Sequence, residues 1–328
     1  MTGATGFIGS AVVRRLLEQK RSVRCLVEPG ANTANLEGLP VERVTCDVTD
    51  SATMRKALEG CSSLFHLAAI YKTWLPDETL IYRVNVEGTV STLLAAQQAG
   101  VKRVVHTSSI AAIGLVEGGL ADESTTFNLF DIANPYILSK WQSERIAMRF
   151  AESGLPVVIV NPAFPFGPRD IAPTPTGAII RALLAKQVPG HGPGGICTID
   201  VDDCAMGHLL AEEKGRVGER YILGNDNVSL KELFGVVCKV AGLKPPKLPM
   251  PRSLAAGVAL GMELWADHVS HVEPKATYRS MRYAQRSAFF SNAKAKRELG
   301  LPTRPLEETV RRAVEWFRHD FPAAQLEA

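Results

Sequence analysis

The chain has 328 residues, 46% of them hydrophobic and 22% charged, with a formal charge of +3 at pH 7. That length suits one large domain or two unequal ones. The composition is that of an ordinary globular enzyme, and so small and evenly spread a charge argues against a nucleic-acid partner. Six cysteines (Cys25, Cys46, Cys61, Cys197, Cys204, Cys238) form no C-x-x-C pair and show no metal-ligand spacing. They predict reduced, mostly buried thiols in a cytoplasmic protein.

The first residues are Met1-Thr2-Gly3-Ala4-Thr5-Gly6-Phe7-Ile8-Gly9. Three glycines at three-residue spacing let the backbone turn sharply and lie against a pyrophosphate. The helix predicted next, over about 7–19, has Ile8, Val12, Leu16 and Leu17 as its apolar stripe and points its positive end at the phosphates. A dinucleotide loop of this kind follows a buried strand of about five residues. Only Met1 and Thr2 precede Gly3, which leaves no room for a signal peptide and implies either a start further upstream or a stunted first strand.

Strands are predicted over 22–27, 41–46, 63–67, 103–107 and 156–160, and helices over 51–59, 79–99 and 135–152, the last two stopped by Gly100 and Gly154. This alternation predicts an α/β fold, a doubly wound parallel sheet with helices on both faces. From Asn161-Pro162 onward proline and glycine become frequent, and the alternation lapses until a strand over 221–223 and a helix over 230–241. The expected division is a dinucleotide-binding domain over 1–161 and a smaller, mainly substrate-binding lobe over 162–328, the chain crossing back to the first domain. The longest apolar stretch, 254–266, is interrupted by Gly257, Gly261 and Glu263. It is shorter than the roughly 20 residues a membrane span needs, and reads as a core helix or a lip of the substrate pocket.

The second chemical signature is Tyr136-Ile137-Leu138-Ser139-Lys140. Tyrosine and lysine four apart share a helix face, so the ammonium can lower the phenol's pKa and make it a proton donor and acceptor near neutral pH. Ser109, just past the strand ending at Thr107, sits at the carboxyl edge of the sheet, where a hydroxyl can hold a substrate oxygen. Glu28, 19 residues past Gly9, can accept from the adenosine ribose hydroxyls and would repel a 2′-phosphate, which favours NAD over NADP. Arg24, Asn32 and Thr33 keep NADP open. Asp47 can accept from the adenine amino group or cap the next helix. The seven histidines form no ligand pair and no metal is expected; His66 reads as a core residue, His268 and His271 as solvated.

Together, T-G-A-T-G-F-I-G at 2–9, D-V at 47–48, H-L-A-A at 66–69, N-V-E-G-T at 85–89, T-S-S at 107–109, Y-x-x-x-K at 136–140 and D-V-D-D at 200–203 resemble the extended short-chain dehydrogenases/reductases of the NAD-dependent epimerase/dehydratase superfamily. The resemblance covers essentially the whole chain and implies a Rossmann fold. It implies Ser109, Tyr136 and Lys140 as the catalytic triad, with Asn85 in support. Gly3, Thr5, Gly6, Phe7, Ile8 and Gly9 would surround the pyrophosphate, with Phe7 and Ile8 presenting amides. Asp47 and Val48 would lie at the adenine end and Leu67, Ala68 and Ala69 beneath the adenosine half. Thr107, Tyr136 and Lys140 would also contact the cofactor, and Pro162 to Phe164 would face the nicotinamide. A homodimer through the helices at 79–99 and 135–152 is implied as well.

Sugar-nucleotide members of this superfamily usually carry R-x-x-N-x-Y-G-P after the sixth strand, and an arginine about six residues before the D-D pair. Here the stretch is Asn161-Pro162-Ala163-Phe164-Pro165-Phe166-Gly167-Pro168, and Ile196 stands near the arginine's place. A dianionic diphosphate needs donors, and these positions offer carbon. Ile70, Tyr71, Trp74, Phe130, Phe164 and Phe166 on loops predict an apolar pocket. The chain therefore looks closer to dihydroflavonol 4-reductases, 3β-hydroxysteroid dehydrogenases and hopanoid-cluster proteins. The expected function is an NAD(P)-dependent oxidoreductase interconverting a secondary alcohol and a ketone on a fairly apolar small molecule. An NDP-sugar epimerase with tightly held NAD is the alternative. A non-catalytic dinucleotide sensor is the second alternative, against which both Tyr136 and Lys140 speak.

Overall fold

The computed structural model describes residues 1–321. Its first half is α1 (Phe7–Glu18), β1 (Arg24–Val27), β2 (Glu42–Thr45), α2 (Ser51–Leu58), β3 (Ser63–His66), α3 (Thr79–Tyr82), α4 (Gly88–Gln98), β4 (Arg103–Thr107), α5 (Pro135–Glu152) and β5 (Val157–Pro162). The sequence signals for these ends are the ones the backbone uses. Asp50 caps α2, Asn134 caps α5 with Pro135 in its first turn, and Gly100 and Gly154 take positive φ after the helices they stop. One expectation changes: the predicted single helix at 79–99 is α3 and α4 joined by a π-helical turn, Arg83–Glu87, which carries Asn85.

The main sheet is parallel throughout, in the order β2-β1-stub-β3-β4-β5-β9, with β9 at Arg220–Leu223. The stub is Met1 and Thr2. Thr2 N–H donates to Phe65 O at 3.0 Å, Leu26 N–H donates to Met1 O at 2.8 Å, and Thr2 bridges both Leu26 and His66. Two residues thus occupy the central strand position. Neighbouring strand residues point to opposite faces. Val104 packs with Met54 and Leu93 of α2 and α4, while Val105 packs with Val12 and Leu16 of α1.

The second half contributes β6 (Phe164–Phe166), α6 (Pro175–Leu184), β7 (Gly190–His191), β8 (Gly195–Asp200), α7 (Val201–Lys214), β9, β10 (Asn227–Ser229), α8 (Leu230–Ala241), β11 (Leu248–Pro249), α9 (Arg252–Trp265), α10 (Tyr278–Ala284), β12 (Ser287–Ala288) and α11 (Leu306–His319). α7 returns to pack on α1, and β8 pairs with β6, β10 and β12 in a smaller sheet. A separate core joins α6, α8 and α11 through Ile180, Leu233, Val237, Val314 and Phe317. The D-V-D-D segment fastens the second half to itself and to α1, where Asp202 pairs with Arg15 at 3.5 Å. Asp200 caps α7 and takes both oxygens to Arg312 at 2.6 and 2.7 Å, while Asp203 accepts from Arg304 N at 2.6 Å.

The apolar stretch at 254–266 is not a core helix. α9 buries only Ala255 and Ala259, and leaves Leu254, Val258 and Trp265 exposed.

Candidate active site

The glycine loop is shaped by close backbone approach. Gly3 has φ +66°, and a Cβ there would stand 2.6 Å from the Leu67 carbonyl carbon. A Cβ on Gly9 would stand 1.9 Å from Gly3 O, so any larger residue forces α1 off the loop. Gly6 caps α1 without a side chain, and its N–H donates to Gly3 O at 3.2 Å. Among the described residues the N–H groups of Phe7, Ile8 and Gly9 have no acceptor. Unpaired donors at the positive end of a helix dipole form the donor set that a pyrophosphate takes. Asn35, which the sequence reading missed, donates to Thr5 O at 3.1 Å and to Arg169 O at 3.2 Å, tying this loop to the second half of the chain.

Leu67, Ala68 and Ala69 run beside the loop. Their position is set by Thr2, whose Oγ1 accepts from Leu67 N and Ala68 N at 3.2 Å each. Glu28 is exposed just past the end of β1, with no side-chain partner among the described residues. Asp47 does not cap α2. Its Oδ1 accepts from Thr49 N and Thr49 Oγ1 at 2.8 Å each, and Asp50 is the cap. Val48 packs on Gly88 of α4, where a Cβ would meet its Cγ2 at 2.8 Å.

α5 brings Tyr136 and Lys140 to the carboxyl edge of the sheet beside Ser109. The Tyr136 phenol is pushed up to about 12 by burial, with its hydrogen bond to the Ser109 hydroxyl acting in the opposite direction. Its ring lies against Tyr71, centroids 4.7 Å apart. Lys140 is buried, and its Nζ donates to Thr107 O at 2.7 Å. Burial lowers the Lys140 ammonium to about 8, opposed by Glu144 one turn further along. Burial therefore sets the direction for both groups, raising the Tyr136 phenol and lowering the Lys140 ammonium.

Ser109 is held from behind. Its carbonyl accepts from Asn161 Nδ2 at 2.9 Å, and the same nitrogen reaches Glu144 Oε2 at 2.5 Å. Arg220 closes this buried group on Glu144 at 2.7 Å. Asn85 stands behind α5. Its side chain accepts from Ile70 N at 2.7 Å and donates to Ile70 O at 3.0 Å and to Ser139 Oγ at 2.9 Å. Pro162 is buried at the end of β5, and Phe164 is half-buried in β6.

The expected apolar pocket is partly redrawn. Tyr71 meets Tyr136, but Phe166 is core, 1% exposed. Phe130 is 62% exposed and packs on Phe127 and Trp141, and Trp74 is buried with its Nε1 on Asp267 at 2.7 Å. Sequence spacing gave no sign of Tyr283 on α10. Its buried Oη has no partner among the described residues, and burial, with Tyr136 nearby, raises its pKa.

A model of the NAD dependent epimerase/dehydratase family matches residues 1–224. The chain belongs to this family. A Synechocystis protein carried under the provisional name dihydroflavonol 4-reductase is 39% identical, over 97% of this chain and 94% of the relative. Sterol demethylase protein B of Methylococcus capsulatus is 34% identical over 97% of each. The crystal structure of gox2253, 42% identical, superposes with a TM-score of 0.86 over 97% of this chain and 96% of that one. The cofactor of this epimerase/dehydratase family member is NAD, and the residue 3–9 cradle with its unpaired amides fits the NAD pyrophosphate.

Proposed function

We propose that the protein interconverts a secondary alcohol and a ketone on a fairly apolar small molecule. The observation that carries this reading is the half-buried Tyr136, its hydroxyl hydrogen-bonded to the Ser109 hydroxyl, with the Lys140 ammonium one turn behind it. Bound NAD supplies the hydride acceptor or donor. Tyr136 gives its proton to the carbonyl oxygen in reduction and takes it from the alcohol in oxidation. Ser109 Oγ holds that oxygen. Lys140 binds the nicotinamide ribose and stabilises the phenolate once it forms. Asn85 acts through Ile70 and Ser139, as a positioning residue.

An apolar substrate is supported by Phe164 and by Ile196, buried in β8, where a nucleotide diphosphate would need donors, and by the names of the two relatives. Glu28 favours NAD over NADP. We also assign residues 1–161 to dinucleotide binding and 162–328 mainly to the substrate, and a cytoplasmic location consistent with six free thiols. A homodimer through α3–α4 and α5 suits the exposed Val90 and Leu94 on α4; light scattering that gives a monomer at micromolar concentration refutes it.

The deciding experiment is a panel of sterols, flavanonols, aryl ketones and UDP-sugars, followed by NAD(P)H absorbance and product analysis. Ketone reduction with stoichiometric NADH consumption is expected. Turnover of UDP-sugars alone, with no net change in NADH, would replace this reading with the epimerase.

A further inference from the structure

We propose that the outer face of α9 docks on an anionic lipid surface. α9 and the π-helical turn after it, Ala266–Ser270, make a rod of about 28 Å at 1.5 Å per residue. It faces the protein with alanines: Ala255, Ala259 and Ala266 are its buried residues. Leu254, Val258, Trp265 and Val269 are each half or more exposed, at 57, 50, 61 and 54%, and at spacings of four, seven and four they share one face. Val258, Met262 and Trp265 continue into a shallow groove with Val272 and Lys275. Scattered exposed apolar residues need no explanation, but a contiguous stripe on one helix does.

The charges around the stripe point to what covers it. The even spread expected of the whole chain does not hold here. The segment 244–286 carries seven lysines and arginines against three acids, more than the chain's entire net charge of +3. The three acids are engaged. Glu263 accepts from Tyr278 N and Asp267 from Trp74 Nε1, both at 2.7 Å, and Glu273 pairs with Lys72. Lys244, Lys247, Arg252 and Lys275 are exposed and make no ion pair or side-chain hydrogen bond among the described residues. An exposed apolar face flanked by unpaired cations that outnumber the two acids without a cationic partner, Glu263 and Asp267, is complementary to negatively charged headgroups over acyl chains. No helix in the described residues is long and apolar enough to cross a membrane, so α9 lies along the surface. Asp267 holds Trp74, three residues from the Tyr71 that packs on Tyr136, so the docked face adjoins the loop lining the active site. That placement suits an apolar substrate drawn from a bilayer, although the docking itself does not depend on the reaction proposed above.

The test is co-sedimentation of the full chain with vesicles of phosphatidylcholine alone and of phosphatidylcholine mixed with phosphatidylglycerol, without substrate. Binding to the mixed vesicles, weakened by salt, is expected. The double variant Val258→Ser/Trp265→Ser, checked for an unchanged melting temperature, should bind about tenfold or more weakly, because it removes two large apolar side chains from the contact. Lys244→Gln/Lys247→Gln should narrow the difference between the two vesicle types. No binding of the parent protein, or binding that the serine variant leaves unchanged, overturns the proposal. So does a dimer that the serine variant splits while vesicles capture nothing, which would make the face a subunit contact. Vesicle binding is read without turnover, so failure here is separate from failure of the ketone-reduction reading.

Discussion

Lys140→Met separates the lysine's proposed catalytic role from its effect on folding. Burial brings the ammonium from 10.5 down to about 8, a burden on the order of 3 kcal/mol. Because the folded pKa lies below the unfolded one, the unfolded chain holds the extra proton between pH 8 and 10.5, and stability rises with pH across that window. Below pH 8 the folded protein carries the full burden of a buried charge; by pH 10 most of it has been relieved. Methionine removes the burden at every pH but strands Thr107 O, which accepts from Nζ at 2.7 Å, at a cost of about 1–3 kcal/mol. Lys140→Met should therefore match or exceed the parent's stability at pH 7 and fall below it at pH 10. Urea unfolding of both proteins at the two pH values measures this, and the variant should be inactive at both. A stability difference that does not move with pH would mean that Lys140 is not charged and buried in the folded protein.

Tyr136→Phe keeps the ring against Tyr71 and removes the proton; kcat should fall by at least about 100-fold while NAD affinity by calorimetry stays unchanged. Retained turnover would remove Tyr136 from the chemistry. Glu28→Arg should move the NADP/NAD ratio of kcat/KM upward by about tenfold or more, through loss of a repelling carboxylate and gain of a phosphate partner. Gly9→Ala drives a Cβ to 1.9 Å from Gly3 O and should abolish NAD binding, whereas Gly257→Ala on α9 meets nothing within 4 Å and should stabilise the helix by about 0.5–1 kcal/mol in thermal melts. Tyr283→Phe removes a buried hydroxyl that has no partner, so folding stability should hold or rise, while KM for an oxygenated substrate should increase if that hydroxyl receives the substrate; an unchanged KM assigns Tyr283 to packing alone.

What could be read in the sequence was whatever depends on local spacing. The glycine triplet, the strand–helix alternation and the tyrosine–lysine pair are each fixed within a few residues by backbone geometry, and α1, α5 and β4 lie within a residue of the expected ranges. The electrostatics of the site could not be read that way. Burial raises Tyr136 and lowers Lys140, and the residues that meet them, Ser109, Tyr71 and Thr107, are distant in sequence. Apolar content also misled at 254–266, since hydrophobicity reports a preference for leaving water and says nothing about whether a neighbour is there to receive the face. Asn35 and Tyr283 had no motif to mark them, because their roles are made only by residues arriving from elsewhere in the chain.

The buried polar groups explain how the cofactor loop and the catalytic helix hold a common geometry. Thr2 Oγ1 bonds His66 Nδ1 at 2.8 Å, and His66 Nε2 bonds Thr89 Oγ1 at 3.2 Å. Thr89 Oγ1 donates to Asn85 O at 2.7 Å, Asn85 Nδ2 to Ser139 Oγ at 2.9 Å, and Ser139 Oγ to Tyr136 O at 2.8 Å. The chain runs from beside the glycine loop, across two strands' worth of interior, to the backbone of the catalytic tyrosine. Burial lowers His66 to about 3, so the link stays neutral throughout the physiological range and does not act as a pH switch. Each of these groups would cost about 1–3 kcal/mol if left buried and unpaired, so shifting the loop relative to α5 breaks several bonds together. The π-helical turn at Arg83–Glu87 fits the same account: it carries Asn85, whose side chain reaches both Ile70 and Ser139. The glycine loop and Tyr136 are thus set against each other by the folded interior, which is the fixed geometry that the proposed hydride transfer requires.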